Sequence, residues 1–164
     1  MKQNILLVVV IAILAAALFV LTATTQPQPT PRPAVSTQAS KPTNHWLERV
    51  NAVRADVGVS PMHYSNSLER SAKRKVQDLA ATNRWTHDNK DGSTFSTYFE
   101  DGWELRGENL ARCWPTDEAA IDGLIESPGH YELMTDPDYD QFGAADVYDK
   151  DLGCTIVVHH FGNK

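Results

Sequence analysis

An α+β sandwich is the fold the sequence predicts, and three observations predict it. Apolar residues at helical spacing dominate the first half of the folded region, strand-like stretches then interleave with helices, and the chain closes on a hairpin. No strand–crossover–strand unit with a glycine-rich phosphate loop is present, which argues against a Rossmann-type sheet. At 164 residues there is room for about one domain and a tail.

The elements follow in order. Trp46, Val50, Val53 and Val57 recur at helical spacing, and Gly58 is a natural stop. Asn66, three residues before Glu69, reads as the cap of a second helix. Its stripe is Leu68, Ala72, Val76 and Leu79, and it fades near Asn83. Asp91-Gly92 marks a turn, and Phe95, Tyr98 and Phe99 suggest a short third helix. Arg106 to Cys113 reads as a strand and Thr116 to Glu126 as a helix, with Asp117 and Glu118 where the dipole favours acids. Ser127-Pro128-Gly129 breaks that helix, and a short turn of helix follows through His130, Leu133 and Met134. Phe142–Tyr148 and Gly153–Phe161 form the hairpin around Asp149-Lys150-Asp151. In its second strand Cys154, Ile156, Val158 and His160 share one face, and Thr155, Val157, His159 and Phe161 the other.

Three segments are expected: an anchor over 1–23, a linker over 24–42 and a folded domain over 43–164. Ile5 to Val20 is an unbroken apolar run extending to Ala23, about the length of a membrane-spanning helix. Lys2 precedes it and no good small-x-small triplet follows, so an uncleaved signal anchor is expected over a cleaved signal. The positive end stays in the cytoplasm, which places the rest of the chain outside. Gln26 to Pro42 carries Pro27, Pro29, Pro31, Pro33 and Pro42 and no aromatic residue, as befits an extended spacer.

Charge excludes some partners. The net charge is -6; residues 1–42 hold three of the 15 bases and no acid, leaving 12 bases against 21 acids and a net -9 for the rest. So acidic a domain repels phosphate backbones and anionic lipid surfaces, and nucleic acid is not an expected partner. The two cysteines, Cys113 and Cys154, are either a disulfide of an oxidising compartment or two separate buried thiols. No C-x-x-C pair supports a thioredoxin-like or zinc-ribbon site.

Four patches could carry chemistry: Thr86-His87-Asp88, Gly107-Glu108-Asn109-Leu110-Ala111, Ser127-Pro128-Gly129-His130 and Val157-Val158-His159-His160-Phe161-Gly162. Neutral imidazoles bind Zn or Cu, and a nearby carboxylate can orient a ring or act as base toward a metal-bound water. No H-E-x-x-H signature appears, and each histidine taken alone reads as well as a surface or hydrogen-bonded residue. The same motifs also fit a purely structural role: Glu108 fixing loops, Asn109 tying one through its amide, Gly107 and Gly129 allowing close packing or special backbone angles.

Several of these runs resemble the CAP superfamily of cysteine-rich secretory, antigen 5 and pathogenesis-related proteins. Trp46 to Arg54 is similar to its "LN..R...G" opening helix, Pro61-Met62 to its "L.P...L" turn and Ser65 to Leu79 to its second helix. Thr86-His87 resembles "SH", Gly107 to Ala111 matches "GEN.A", and Ser127 to His130 matches the "SPGH" of bacterial members. Phe142 to Ala145 resembles "VGVG" and His160-Phe161-Gly162 resembles "Q.FG". The resemblance covers about residues 43 to 162.

It implies a three-layer α-β-α sandwich whose central cavity is lined by His87, Glu108 and His130. In some members the two histidines bind a divalent metal, so His87 and His130 are the candidate ligands and Zn the candidate metal. Many members carry a second cavity glutamate; Glu126 is close to that position without aligning clearly, and Leu124 replaces the usual Trp. His159 and His160 stand where the family has aromatic residues, Thr or Gln. His160 either adds a ligand or hydrogen-bonds within the sheet, and the second is expected.

Three functions compete. The first is a non-enzymatic binding module for a lipid, peptide or cell-envelope component, anchored through the N-terminal helix. The second is a Zn-dependent hydrolase with Glu108 as base. The third is a structural or adhesion role in the envelope. The lack of a nucleophile–base pair favours the first, and no cofactor other than Zn is indicated.

Overall fold

The computed structural model describes residues 44–164. The expected anchor (1–23), the linker (24–42) and Thr43 lie outside the described residues. Among the described residues no helix is long and apolar enough to cross a membrane.

The elements are α1 (Asn44–Asp56), β1 (His63–Tyr64), α2 (Asn66–Thr82), a 3-10 turn (Phe95–Tyr98), β2 (Leu105–Arg112), α3 (Asp117–Glu126), α4 (Pro128–Thr135), β3 (Gln141–Asp149) and β4 (Cys154–Asn163). The sheet order is β1-β3-β4-β2; β1 runs parallel to β3, and the other pairs are antiparallel. The long crossover from β2 through α3 and α4 to β3 is what lets β4 lie between its hairpin partner and β2.

Both faces of the sheet are covered, and strand alternation decides what each face meets. Val158 and Ile156 of β4, Ala145 and Val147 of β3 and Leu110 of β2 pack against Ala72, Val76, Leu79 and Ala80 of α2. The opposite parity, with Val157 and Phe161, Phe142 and Ala144, and Ala111, packs against Trp46 and Val50 of α1, Ile121 and Leu124 of α3, and Met134 of α4. The result is a three-layer sandwich with α2 and the 3-10 turn on one side and α1, α3 and α4 on the other. A Cβ on Gly143 would run into the backbone of Leu68 and Glu69, so α2 lies in direct contact with β3 there.

Local chemistry sets the ends. Gly58 takes φ +73° after α1, and Asn83 caps α2 in the left-handed region at φ 51°. Thr116 caps α3 by accepting from the Ala119 N–H at 3.1 Å. Ser65, rather than the expected Asn66, caps α2: its hydroxyl faces the Leu68 N–H, and Asn66 is already helical. The two-residue strand β1 was not expected, because so short a run carries no alternation to read. Ser127 ends α3 and starts α4 with no intervening turn. Gly107 allows close packing as anticipated, since a Cβ there would meet Leu133 Cδ1 at 2.6 Å. Gly129 does not: nothing lies within 4 Å of a Cβ there and its φ is ordinary.

Cys113 and Cys154 are bonded, with sulfurs 2.01 Å apart and Cα atoms 4.9 Å apart. The bridge ties the chain just beyond β2 to the first residue of β4, next to the strand pairing itself.

Arg54, near the end of α1, is 1% exposed. Its Nε donates to the Ser60 carbonyl at 2.7 Å, Nη1 to Met134 and Asp136 at 3.0 and 2.8 Å, and Nη2 to Tyr139 at 3.0 Å. One guanidinium thereby pins the loop after α1 to the end of α4 and the approach to β3. Arg54→Met keeps the stem and deletes every one of these donors. We expect a loss of about 3 kcal/mol in urea unfolding. Arg54→Lys should not restore it, because an ammonium cannot reproduce the planar fork.

His159 is fully buried among Trp46, Phe142 and Phe161, and neither ring nitrogen has a hydrogen-bond partner. Burial, with smaller contributions from His160 and His130, pushes its pKa down to about 3. The folded pKa lies below the unfolded one, so the unfolded chain takes up the proton first. The stability linked to this group is full above about pH 6.5 and is lost as pH falls toward the folded value, by up to about 1.4 kcal/mol per unit. Urea midpoints of His159→Leu should fall less steeply with acidification than those of the parent; parallel curves would show that the buried ring is not the acid-sensitive group.

Candidate functional site

The register of β2 on β4 builds the site. Glu108 lies directly across from His160, and Asn109 directly across from His159. Cross-strand partners share a face, so the first pair points toward α2 and the second toward α1 and α4. The Glu108 carboxylate and the His160 ring are fully buried.

Glu108 holds two imidazoles. His87 Nδ1 lies 2.7 Å from Oε1, and His160 Nε2 lies 3.0 Å from Oε2. Burial alone would push the carboxyl pKa up; hydrogen bonds from His160 and His87, with the nearby charge of Lys75, outweigh it and hold Glu108 below the ordinary range, hence ionised. His160 moves down, because burial outweighs the attraction of Glu108, and its ring is neutral. Phe99 stacks on that ring at 4.6 Å, and Phe95 packs on both histidines. The His87 side chain is 56% exposed, so this ring alone joins the buried carboxylate to solvent.

The loop that carries His87 is held from α2. Lys75, 0% exposed, donates through Nζ to the carbonyls of His87 and Asp88 at 2.9 and 2.8 Å, and reaches Asn89 Oδ1 at 3.4 Å. One turn on, Asp78 Oδ2 accepts from the Lys90 N–H at 2.7 Å. Asn89 is itself buried and donates to the Thr94 carbonyl and the Thr97 hydroxyl. One turn before Lys75, Ser71 Oγ lies 2.7 Å from His160 Nδ1. Ser71, Lys75 and Asp78 form a polar row beside the apolar stripe of α2. Sequence reasoning missed them. The signal available was that row itself, at spacings of four and three.

The expected site residues fall as follows. His87 and Glu108 are in contact. His130 stands third in α4, and its carbonyl accepts from the Asn109 amide at 3.1 Å, so Asn109 ties a helix where a loop was expected. Its Nδ1 is buried without a partner. Burial lowers its pKa, with a smaller contribution from His87, and no hydrogen bond links the His130 ring to His87 or Glu108. Glu126, at the end of α3, is exposed, and among the described residues no hydrogen bond or ion pair joins it to Glu108, His87 or His130. His160 hydrogen-bonds within the fold, as expected. Among the described residues, cavities elsewhere include a groove of about 400 Å³ along α2, lined in part by Arg74, Asp78, Lys90 and Tyr98, and a small one of about 60 Å³ beside Trp114.

The donor set suits a borderline metal in part. A histidine whose Nδ1 is bonded to a carboxylate presents Nε2 outward, the usual arrangement behind a metal-bound imidazole, and the orphaned His130 Nδ1 is a second nitrogen. Among the described residues no group of three or more His, Cys, Asp or Glu is arranged to hold a metal ion. Two nitrogens are fewer than the three protein ligands of catalytic zinc sites.

The fold is a three-layer sandwich, and Glu108 on its edge strand gathers His87 and His160. The pattern of the CAP (cysteine-rich secretory protein) family matches residues 47–161, and the chain belongs to that family. A relative is the uncharacterized protein YkwD of Bacillus subtilis, 29% identical over 104 residues; the match covers 62% of this chain but only 40% of that protein. Among solved structures, an outer surface protein of Borrelia burgdorferi superposes with a TM-score of 0.67 at 21% identity, covering 74% of this chain and 91% of that one. The structure of NaASP2 with Zn2+ superposes at 0.56 with 15% identity, covering 80% and 82%.

The role of Lys75 is open to direct measurement. Lys75→Met retains the stem and removes the donors to residues 87–89. We expect a loss of about 2 kcal/mol in stability and faster amide exchange across residues 87–90, with exchange in β3 and β4 changed only by the global loss.

Proposed function

We propose that this CAP-family chain is a non-enzymatic binding module that works outside the cell, held there by its N-terminal apolar segment. Its ligand site centres on the outward nitrogen of His87, with His130 as the second candidate contact. The observation that carries this reading is the pairing of a half-exposed imidazole with a fully buried, ionised carboxylate. That arrangement fixes a ring, and it supplies no nucleophile: both cysteines are in the disulfide, and Ser71 is 1% exposed. The disulfide suits an oxidising, extracytoplasmic compartment.

The ligand class is a lipid, peptide or envelope component, and the two histidines are suited to hold Zn against it. NaASP2, described with Zn2+, is a structural relative that makes this metal the one to test. A hydrolase would need Glu108 as base toward a metal-bound water. Each of its oxygens is already taken by an imidazole, and the group is fully buried. Binding therefore fits the geometry better than turnover.

Titration of the full chain with Zn by calorimetry, beside His87→Ala/His130→Ala, tests the proposal. The double variant should bind at least about tenfold more weakly, about 1.4 kcal/mol or more. Equal binding by both proteins would remove these histidines from the site. No binding by either, together with an unchanged cellular phenotype of the double variant, would favour a structural role in the envelope.

A further inference from the structure

A chain of directional hydrogen bonds runs out of α2 to the solvent-facing ring. Ser71 Oγ is 2.7 Å from His160 Nδ1, His160 Nε2 is 3.0 Å from Glu108 Oε2, and Glu108 Oε1 is 2.7 Å from His87 Nδ1. From this geometry we infer that His160 and Ser71 are positioning residues, which hold the Glu108 carboxylate in the orientation that fixes His87 as its Nδ1–H tautomer and leaves the Nε2 lone pair free for a ligand.

The argument is one of counting donors. An ionised carboxylate only accepts, so both imidazoles must donate to it. His160 is therefore protonated on Nε2, and its Nδ1 is a bare acceptor. The hydroxyl at that nitrogen is Ser71's. The same Oγ lies 2.8 Å from the Leu68 carbonyl and is in reach to donate there instead. That carbonyl sits inside α2, where the helix ladder already provides it a donor. His160 Nδ1 is fully buried and has no other partner, so the hydroxyl proton is worth more on the imidazole. The stack with Phe99 and the Glu108–His160 register fix the plane and height of the ring.

The consequence falls on His87. A glutamate has three side-chain torsions, and one imidazole on Oε1 does not restrain them all. The second bond, on Oε2, does. Without it a buried oxygen lacks its donor, and the carboxylate turns to find another. His87 then loses its acceptor and reverts to the Nε2–H form that neutral histidine favours in water, which caps the outward nitrogen with a proton. With His160 in place, the site takes groups that accept a lone pair, namely a divalent cation or an N–H or O–H donor. It disfavours anions, which would face both the lone pair and the Glu108 charge.

This inference rests on the proposed role of His87 as the ligand contact, so its first test needs no ligand. Full-length protein with 15N-labelled histidine, free of metal and at about pH 8, above the ordinary histidine pKa, is examined by long-range 1H–15N spectra, which report each ring's tautomer. Wild type should show His87 as Nδ1–H and His160 as Nε2–H. His160→Leu should invert the His87 ratio, and His160→Gln, whose amide N–H reaches toward Oε2, should restore it. Ser71→Ala deletes one oxygen and should lower the His87 Nδ1–H fraction; it decides the matter if His160→Leu fails to fold. Wild-type His87 in the Nε2–H form, or an unchanged His87 in a folded His160→Leu or Ser71→Ala, would overturn the inference. Zn alone is the second probe, with an expected loss of at least tenfold in His160→Leu that His160→Gln recovers. The expected tautomers without Zn binding in wild type would sink the metal-binding reading and leave the positioning roles standing.

Discussion

The constraint on which the site depends is the cost of burying the Glu108 charge. A carboxylate without exposure is tolerated only when each oxygen is paired and compensating charge is near. Every neighbouring element contributes to that condition. β4 supplies His160, the loop after α2 supplies His87, and α2 supplies Lys75 as the nearby cation and Ser71 behind His160. Because these demands fall on one group, strand register, helix placement and loop conformation are coupled. Moving β4 by one residue against β2 would set Glu108 across from His159 or Phe161 instead, and those side chains belong to the other face.

The contrast between His159 and His160 shows what an environment does to one residue type. They are consecutive on β4, equally buried and on opposite faces. His160 meets a carboxylate, a hydroxyl and an aromatic ring, and each ring nitrogen has a partner. His159 meets aromatic residues, and neither of its nitrogens does. The first arrangement carries polarity from the helix layer to the exposed ring of His87. The second lowers stability at acid pH without a compensating hydrogen bond, and nothing in the structure explains its presence beyond filling the space beside Trp46.

Much of the fold was legible because its signals are periodic. The stripe Leu68, Ala72, Val76 and Leu79 and the two faces of Cys154–Phe161 fall where alternation and helical spacing place them, since burial on both sides of the sheet leaves little freedom. What the sequence did not reveal depended on few residues or on tertiary partners. β1 is too short to alternate. Ser65 and Asn66 are both good caps, and only the backbone chooses between them. His87 and Glu108 could be named through a family resemblance, but Lys75 and Ser71 could not. A lysine on a helix reads as solvated until a loop of carbonyls is seen to cover it.

That same chemistry recurs at Arg54. Arg54 and Lys75 are the two most deeply buried cations of the domain, and each spends its hydrogen bonds mainly on loop carbonyls. The reason lies in the topology. A small sheet with long connections leaves irregular segments whose carbonyls have no ladder partner, and a buried carbonyl without a donor is costly. A cation on a rigid helix can serve several at once, where a neutral side chain serves one or two. The arginine joins α1 to the end of α4, the element that carries His130; the lysine joins α2 to the loop that carries His87. The two candidate ligand histidines therefore sit on segments fixed by cations from opposite layers of the sandwich.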